Sequence, residues 1–164
     1  MKKELELIQL QKELENELAD NILNFWVNKV YDPERRTFFG KVSNFNKTFP
    51  EEPHSAVLLT RILWTFSAAY HSFSENGDYK KMADEAYRIL MENFWDNHNG
   101  GIFWCVNPDG SPADTKKQFY AQAFFIYALS EYYRAFKNET VKQLAVSMFM
   151  LLEKYGGDPQ FGGY

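Results

Sequence analysis

Cysteine is almost missing from this chain. Cys105 is the only one in 164 residues, so no internal disulfide can form, which fits a reducing compartment such as the cytoplasm. Long apolar runs are missing too. The least charged stretches still carry Arg61, or Glu131 and Arg134, and hold Ser, Thr, Gln and Tyr, which argues against a membrane span. There is no excess of positive charge: the net charge is −4 and no Lys/Arg stripe is present. Nucleic-acid binding, which needs clustered cations against phosphate, is therefore not expected. Met1 runs directly into Lys2, Lys3 and Glu4 with no apolar segment, so no secretory leader is expected. No set of ligands stands at metal-binding spacing, so neither a metal nor another cofactor is expected. What the chain has in abundance is aromatic surface. Fifteen Phe, ten Tyr and four Trp make up 18% of it, ring area that must be buried or stacked on a ligand.

The hydrophobic periodicity predicts an all-α protein of about five helices, near 2–31, 55–73, 79–95, 116–136 and 139–155. In the first, Leu7, Leu10, Leu14, Leu18, Ile22 and Phe25 recur at spacings of three and four and make one apolar stripe. Asp78 and Asn138 stand where N-caps are needed. The odd-numbered helices carry charge along one side. The second and fourth are apolar nearly all round, which predicts that they are packed on every face and lie inside.

The loops repeat. Asp32 leads to Phe38-Phe39-Gly40, Asp96 to Gly100-Gly101-Ile102-Phe103, and Asp158 to Gly162-Gly163-Tyr164. Asp32 and Asp96 are 64 residues apart, Asp96 and Asp158 62. Ser67 to Tyr70 falls on Ser130 to Tyr133, Phe73 on Phe136 and Ala83 on Ala145. Such a period describes a repeated helical hairpin that cannot bury its own face, hence an αα-hairpin toroid with its Gly-bearing loops on one rim. The repeated aspartates are expected to brace turns. Glu131 and Arg134, three apart on a helix, are expected to pair. The chain stops where the third loop should introduce another inner helix, which reads as truncation.

At the loops and inner helices the sequence resembles the N-acylglucosamine 2-epimerase / cellobiose 2-epimerase family, and the cellobiose 2-epimerases most of all. The resemblance rests on Thr60-Arg61-Ile62-Leu63-Trp64-Thr65-Phe66-Ser67, on Gly100-Gly101-Ile102-Phe103-Trp104, on Gly110 to Lys117 with Tyr120, and on Ile126 to Ala135. It implies an (α/α)6 barrel, of which residues 1–164 would be one domain, the N-terminal part. Six hairpins of this period would need about 380 residues. It also implies 2-epimerisation of a reducing-end hexose, cellobiose to glucosyl-mannose in type, by proton abstraction at C2 through an enediolate. The alternatives are N-acylglucosamine 2-epimerase or aldose–ketose isomerase activity, or a non-catalytic helical module. The family's catalytic histidines lie on later inner helices, so the chain alone is expected to be inactive. One departure stands out: the first loop, Arg36-Thr37-Phe38-Phe39-Gly40, lacks the Gly pair usual in the family, which puts its shape in question.

The resemblance makes Arg61 the catalytic candidate, an electrophilic clamp on the enediolate, and Tyr120 a substrate hydrogen-bonding residue. From residues alone, Arg61 is the one formal charge in its helix, and a structural salt bridge to a core carboxylate reads equally well. Trp64, Trp104 and Phe119 are candidates for stacking on a sugar, or core aromatics. His98 reads as a solvated loop residue, His71 as distant from the rim, and His54 as a peripheral contact at most. An incomplete toroid also leaves inner helices without neighbours. Leu58, Leu59, Leu63, Phe66, Phe124, Phe125 and Leu129 are expected to be partly bare, and the chain to form a homo-oligomer.

Overall fold

The computed structural model describes residues 2–73 and 76–163; Tyr164, the last residue of the third loop, lies outside them. Five helices dominate. Helix α1 (Lys2–Asn16) continues through wider π-helical turns at Glu17–Leu23 and Trp26–Val30. Then follow α2 (Ala56–Ser72), α3 (Gly77–Ile89, prolonged by a π-helical turn Leu90–Phe94), α4 (Phe119–Phe136) and α5 (Glu139–Gly156). The strands are two or three residues long. β1 (Tyr31–Asp32) pairs with β2 (Thr37–Phe38). β3 (His54–Ser55), β4 (Cys105–Val106) and β5 (Pro112–Asp114) form a small antiparallel ribbon.

Local chemistry explains the helix ends. Ser55 Oγ accepts the Leu58 amide at 3.2 Å and starts α2. Asn138 Oδ1 accepts the amides of Thr140 and Val141 and starts α5, as the sequence implied. The cap of α3 is Asn76, which accepts the Asp78 amide at 2.9 Å, and not Asp78 itself. Asp78 lies in the first turn instead, where its carboxylate faces the positive end of the helix dipole.

Helix α2 packs against both α3 and α4, and α4 against both α2 and α5. The two apolar helices are thus the inner pair and the charged ones back them. Phe38, Phe66, Phe94 and Phe125 fill the joints and are fully buried, each worth roughly 1.5–3 kcal/mol of transfer free energy. This arrangement corrects one expectation. Leu59, Leu63, Phe66, Phe125 and Leu129 are buried, and Leu58 and Phe124 half-buried, because α2 and α4 turn these side chains toward each other and their backing helices. The bare apolar faces lie elsewhere. On the first helix Leu7, Leu10 and Leu14 are 58%, 50% and 62% exposed, since α1 makes few contacts beyond its own continuation. On α5, Val146, Phe149 and Met150 face outward.

The three loops are built alike. Asp32, Asp96 and Asp158 each use Oδ1 to accept the amides two and three residues on, at 2.8–3.2 Å. Each turn then needs a left-handed residue, met by Gly100 (φ 70) and Gly162 (φ 76). In the first loop Arg36 takes that conformation (φ 52) despite its side chain, at a cost of about 1 kcal/mol. The compensation is visible. Arg36 binds the buried carboxylate of Glu85, which Arg88 also grips, and Arg88 donates to the Arg36 carbonyl at 2.6 Å. The turn therefore survives the loss of its Gly pair. Glu131 and Arg134 pair at 2.6 Å, as their spacing implied.

Two carboxylates held by cations, Glu85 and Asp96, should make this fold acid-sensitive. Burial pushes the Glu85 carboxyl up, but hydrogen bonds and charge from Arg36 and Arg88 outweigh it and hold it below its ordinary 4.5. Hydrogen bonds from Lys117, then Asn99 and His98, hold Asp96 far below the ordinary 3.8. Groups whose folded pKa is depressed stabilise the fold above their unfolded pKa and lose that contribution as pH falls through the folded one. The urea midpoint should therefore fall steadily below about pH 4.5, and Glu85→Gln should flatten part of that slope. An unchanged slope would show that Glu85 is not a linked group.

Candidate functional site

Arg61 lies on α2 in the second turn from the rim loops, and Tyr120 is the second residue of α4. The side chains of α2 and α4 meet in a ladder of rings. Arg61 sits over Phe124, 5.5 Å from its centroid. Tyr120 packs edge-on against the same ring at 4.8 Å. One turn further, Trp64 stacks on Tyr127 at 5.1 Å. Tyr120, Phe124 and Tyr127 are spaced by four and three residues along α4, and Arg61 and Trp64 by three along α2, so each set shares one helix face.

Arg61, Trp64, Phe124 and Tyr127 line a pocket of about 510 Å³, closed on another side by Trp26 and Ile22 of the first helix. Arg61 is exposed toward it. Among the described residues its guanidinium forms no ion pair, so the core salt bridge weighed from the sequence is not what occupies it. Its one described contact is the Phe124 ring, a cation–π approach worth about 0.5–1 kcal/mol at an exposed site. A planar fork of N–H donors held beside apolar rings suits a ligand with adjacent oxygens. The rings suit the C–H faces of a sugar.

The remaining candidates are distributed differently. Trp104 stands at the entrance of α2, where its carbonyl accepts the Ala56 amide at 2.9 Å and its amide donates to Asp114 at 3.1 Å. It is half-buried against the core and does not line the pocket. Phe119 faces a second pocket, between α4 and α5, together with His98, Lys117 and Tyr155. The structure therefore puts Arg61 and Trp64 on one pocket, places Tyr120 outside that lining but against the Phe124 ring, and leaves Trp104 on the rim and Phe119 apart. His54 is buried, and burial holds its imidazole below the ordinary value, partly opposed by a hydrogen bond with the Phe38 backbone. It is a core group of β3 and makes no peripheral contact. His98 is exposed, as expected of a solvated loop residue, and His71 lies in the last turn of α2, away from the rim, where it too is exposed.

Two members of the ladder, Phe124 and Tyr127, escaped the sequence reading as site residues. Their spacing from Tyr120 was the available signal, but rings at that spacing on an apolar helix read equally as core. The rim itself is tightly held. Gln122 accepts the Ile102 amide at 2.9 Å and donates to the Ile102 carbonyl at 2.7 Å. Lys117 ties Asp96 to the Gly100 carbonyl. Among the described residues no three His, Cys, Asp or Glu side chains converge to hold a metal ion. Nor is any described helix long and apolar enough to cross a membrane.

Repeated αα hairpins with an inner pair of apolar helices and loops on one rim define the toroid class. Residues 37–164 match the family model described as N-acylglucosamine 2-epimerase (GlcNAc 2-epimerase), and the chain belongs to that family. It is 39% identical over 155 residues to a cellobiose 2-epimerase of Bacteroides fragilis, covering 94% of this chain and 39% of that one. A cellobiose 2-epimerase of Dictyoglomus turgidum is 33% identical over 150 residues, covering 92% and 38%. The solved structure of cellobiose 2-epimerase from Spirochaeta thermophila superposes with a TM-score of 0.90 at 39% identity, over 96% of this chain and 39% of that one. The chain thus spans about two fifths of the length of these relatives.

Proposed function

We propose that this chain is the N-terminal part of a cytoplasmic sugar 2-epimerase acting on the reducing-end hexose of a disaccharide of the cellobiose type. The observation that carries the reading is Arg61. It is a guanidinium with no carboxylate partner among the described residues, set in an aromatic pocket, in a segment that resembles the cellobiose 2-epimerases. In the proposed reaction a base removes the C2 proton of the open-chain sugar. The electron pair moves onto the C1 carbonyl oxygen to give an enediolate, and an acid returns a proton to the opposite face of C2. Arg61 holds the C1 and C2 oxygens and favours the charge that develops on them. Tyr120 hydrogen-bonds the substrate, and Trp64 packs on the sugar ring. Trp104 on the rim and Phe119 in the neighbouring pocket are outer contacts. Base and acid are histidines of later inner helices, so residues 1–164 alone turn nothing over.

The complete gene product, incubated with cellobiose in D2O, should yield glucosyl-mannose carrying deuterium at C2. The 164-residue chain alone should yield none. No epimerised product from cellobiose, mannobiose or lactose would sink the proposal. The description of the matching family favours one second reading, an N-acylglucosamine 2-epimerase, and the same assay with N-acetylglucosamine would reveal it. A stop codon directly after Tyr164 would favour a non-catalytic module. The chain by itself should also self-associate through the bare leucine stripe of α1. Sedimentation showing only a 19.3 kDa monomer would remove that part of the reading.

A further inference from the structure

Arg61 is held differently from every other arginine of the chain. There are five, and four of them meet a carboxylate: Arg35 meets Asp32, Arg36 and Arg88 meet Glu85, and Arg134 meets Glu131. Arg61 forms neither an ion pair nor a hydrogen bond among the described residues, and its guanidinium lies over the Phe124 ring, 5.5 Å from the centroid. The difference has a chemical consequence. A carboxylate occupies N–H donors of the fork and offsets its charge. A ring does neither. It attracts the cation through its negative face and leaves the N–H donors and the charge available to a ligand. The ring is itself fixed. Phe124 is half-buried, and Tyr120, one turn before it on α4, packs edge-on against it at 4.8 Å. One turn after it, Tyr127 stacks on Trp64 at 5.1 Å with the two rings within 12° of parallel. That stack joins α2 to α4 beside the Arg61–Phe124 contact and so fixes the spacing the contact needs.

We propose that Phe124 is a positioning residue for the epimerisation, its ring setting the direction in which the Arg61 fork points into the pocket that both side chains line. An exposed arginine left to itself samples many rotamers. A fork that swings cannot meet two adjacent oxygens at once, and a misplacement of about 1 Å is enough to slow a reaction severely. Among the described residues, Phe124 supplies the one contact that limits this freedom. Phe124 acts through Arg61 and does not touch the reacting atoms. The inference rests on the reading of Arg61 as the clamp on the C1 and C2 oxygens.

Two measurements test it. In the 164-residue chain, isotope-labelled for NMR, the Arg61 Nε–H should show nuclear Overhauser contacts to the Phe124 ring protons and restricted motion. Phe124→Leu should release it to the mobility of a free arginine side chain. An Arg61 as mobile in the unchanged chain as in the Phe124→Leu chain would overturn the proposal. In the complete gene product acting on cellobiose, Phe124→Leu should lower kcat about fivefold, the scale of a cation–π contact at an exposed site. Pentafluorophenylalanine at the same position keeps the shape of the ring but reverses the charge of its face. It should lower kcat at least as much, with the melting temperature unchanged. In an Arg61→Met background neither replacement should lower kcat further. Equal losses with and without Arg61, or a kcat that follows stability across the variants, would make Phe124 a packing residue and overturn the proposal alone. An Arg61→Met protein with full kcat would be a different failure, removing the clamp reading and the positioning role with it.

Discussion

Replacing Arg61 by lysine in the catalytically competent protein should lower kcat by about a hundredfold or more, the scale of removing one preorganised donor from a developing oxyanion. Lysine keeps the charge but presents a point rather than a planar fork, so it cannot meet two adjacent oxygens at once. The melting temperature should hardly move. Arg61 is exposed and its one described protein contact is the Phe124 ring, which an ammonium group can also approach. Rate and stability therefore separate the two roles. A kcat near wild type together with a clear loss of stability would make Arg61 a brace and remove it from the site. Steady-state kinetics on cellobiose beside a thermal melt would decide it.

Gln122→Leu should cause the largest loss of stability from a single polar side chain. Gln122 is buried, and its amide satisfies both the N–H and the C=O of Ile102, which is itself fully buried. Leucine fills a similar volume and leaves both backbone groups unpaired. Each costs about 1–3 kcal/mol, so the pair should lower stability by roughly 2–6 kcal/mol and Tm by about 5–20 °C. The rim loop from Asp96 to Trp104 should loosen first, seen as faster amide exchange at Phe103 and Asp96. A loss below about 1 kcal/mol would show that Lys117 and the loop's own turn hold it without Gln122.

Most of the scaffold was legible because it is local. Asn138 acts on amides two and three residues away, and the aspartates at 32, 96 and 158 do the same in every loop. Asn76 was passed over for Asp78 because both are good caps and only the backbone of the turn chooses between them. Arg36 shows the opposite limit. Nothing near it in sequence supports a left-handed arginine; the support comes from Glu85 and Arg88, about fifty residues on. The stripe of α1 was read correctly as one face, but its neighbour was not in the pattern, and in the structure Leu7, Leu10 and Leu14 are half or more exposed.

By itself the sequence determined the helices, their order inside and outside and the repeat of about 63 residues, which follow from periodicity, capping and spacing along one chain; the family came from the resemblance of four short segments to known epimerases. The tertiary structure alone decided which rings meet. Arg61 and Trp64 line one pocket with Phe124 and Tyr127, Tyr120 packs on Phe124 from outside that lining, and Phe119, one residue before Tyr120, turns into another pocket. The physical reason is that neighbours on a helix point about 100° apart. The face that meets α2 is set by how the side chains of two helices more than fifty residues apart interlock.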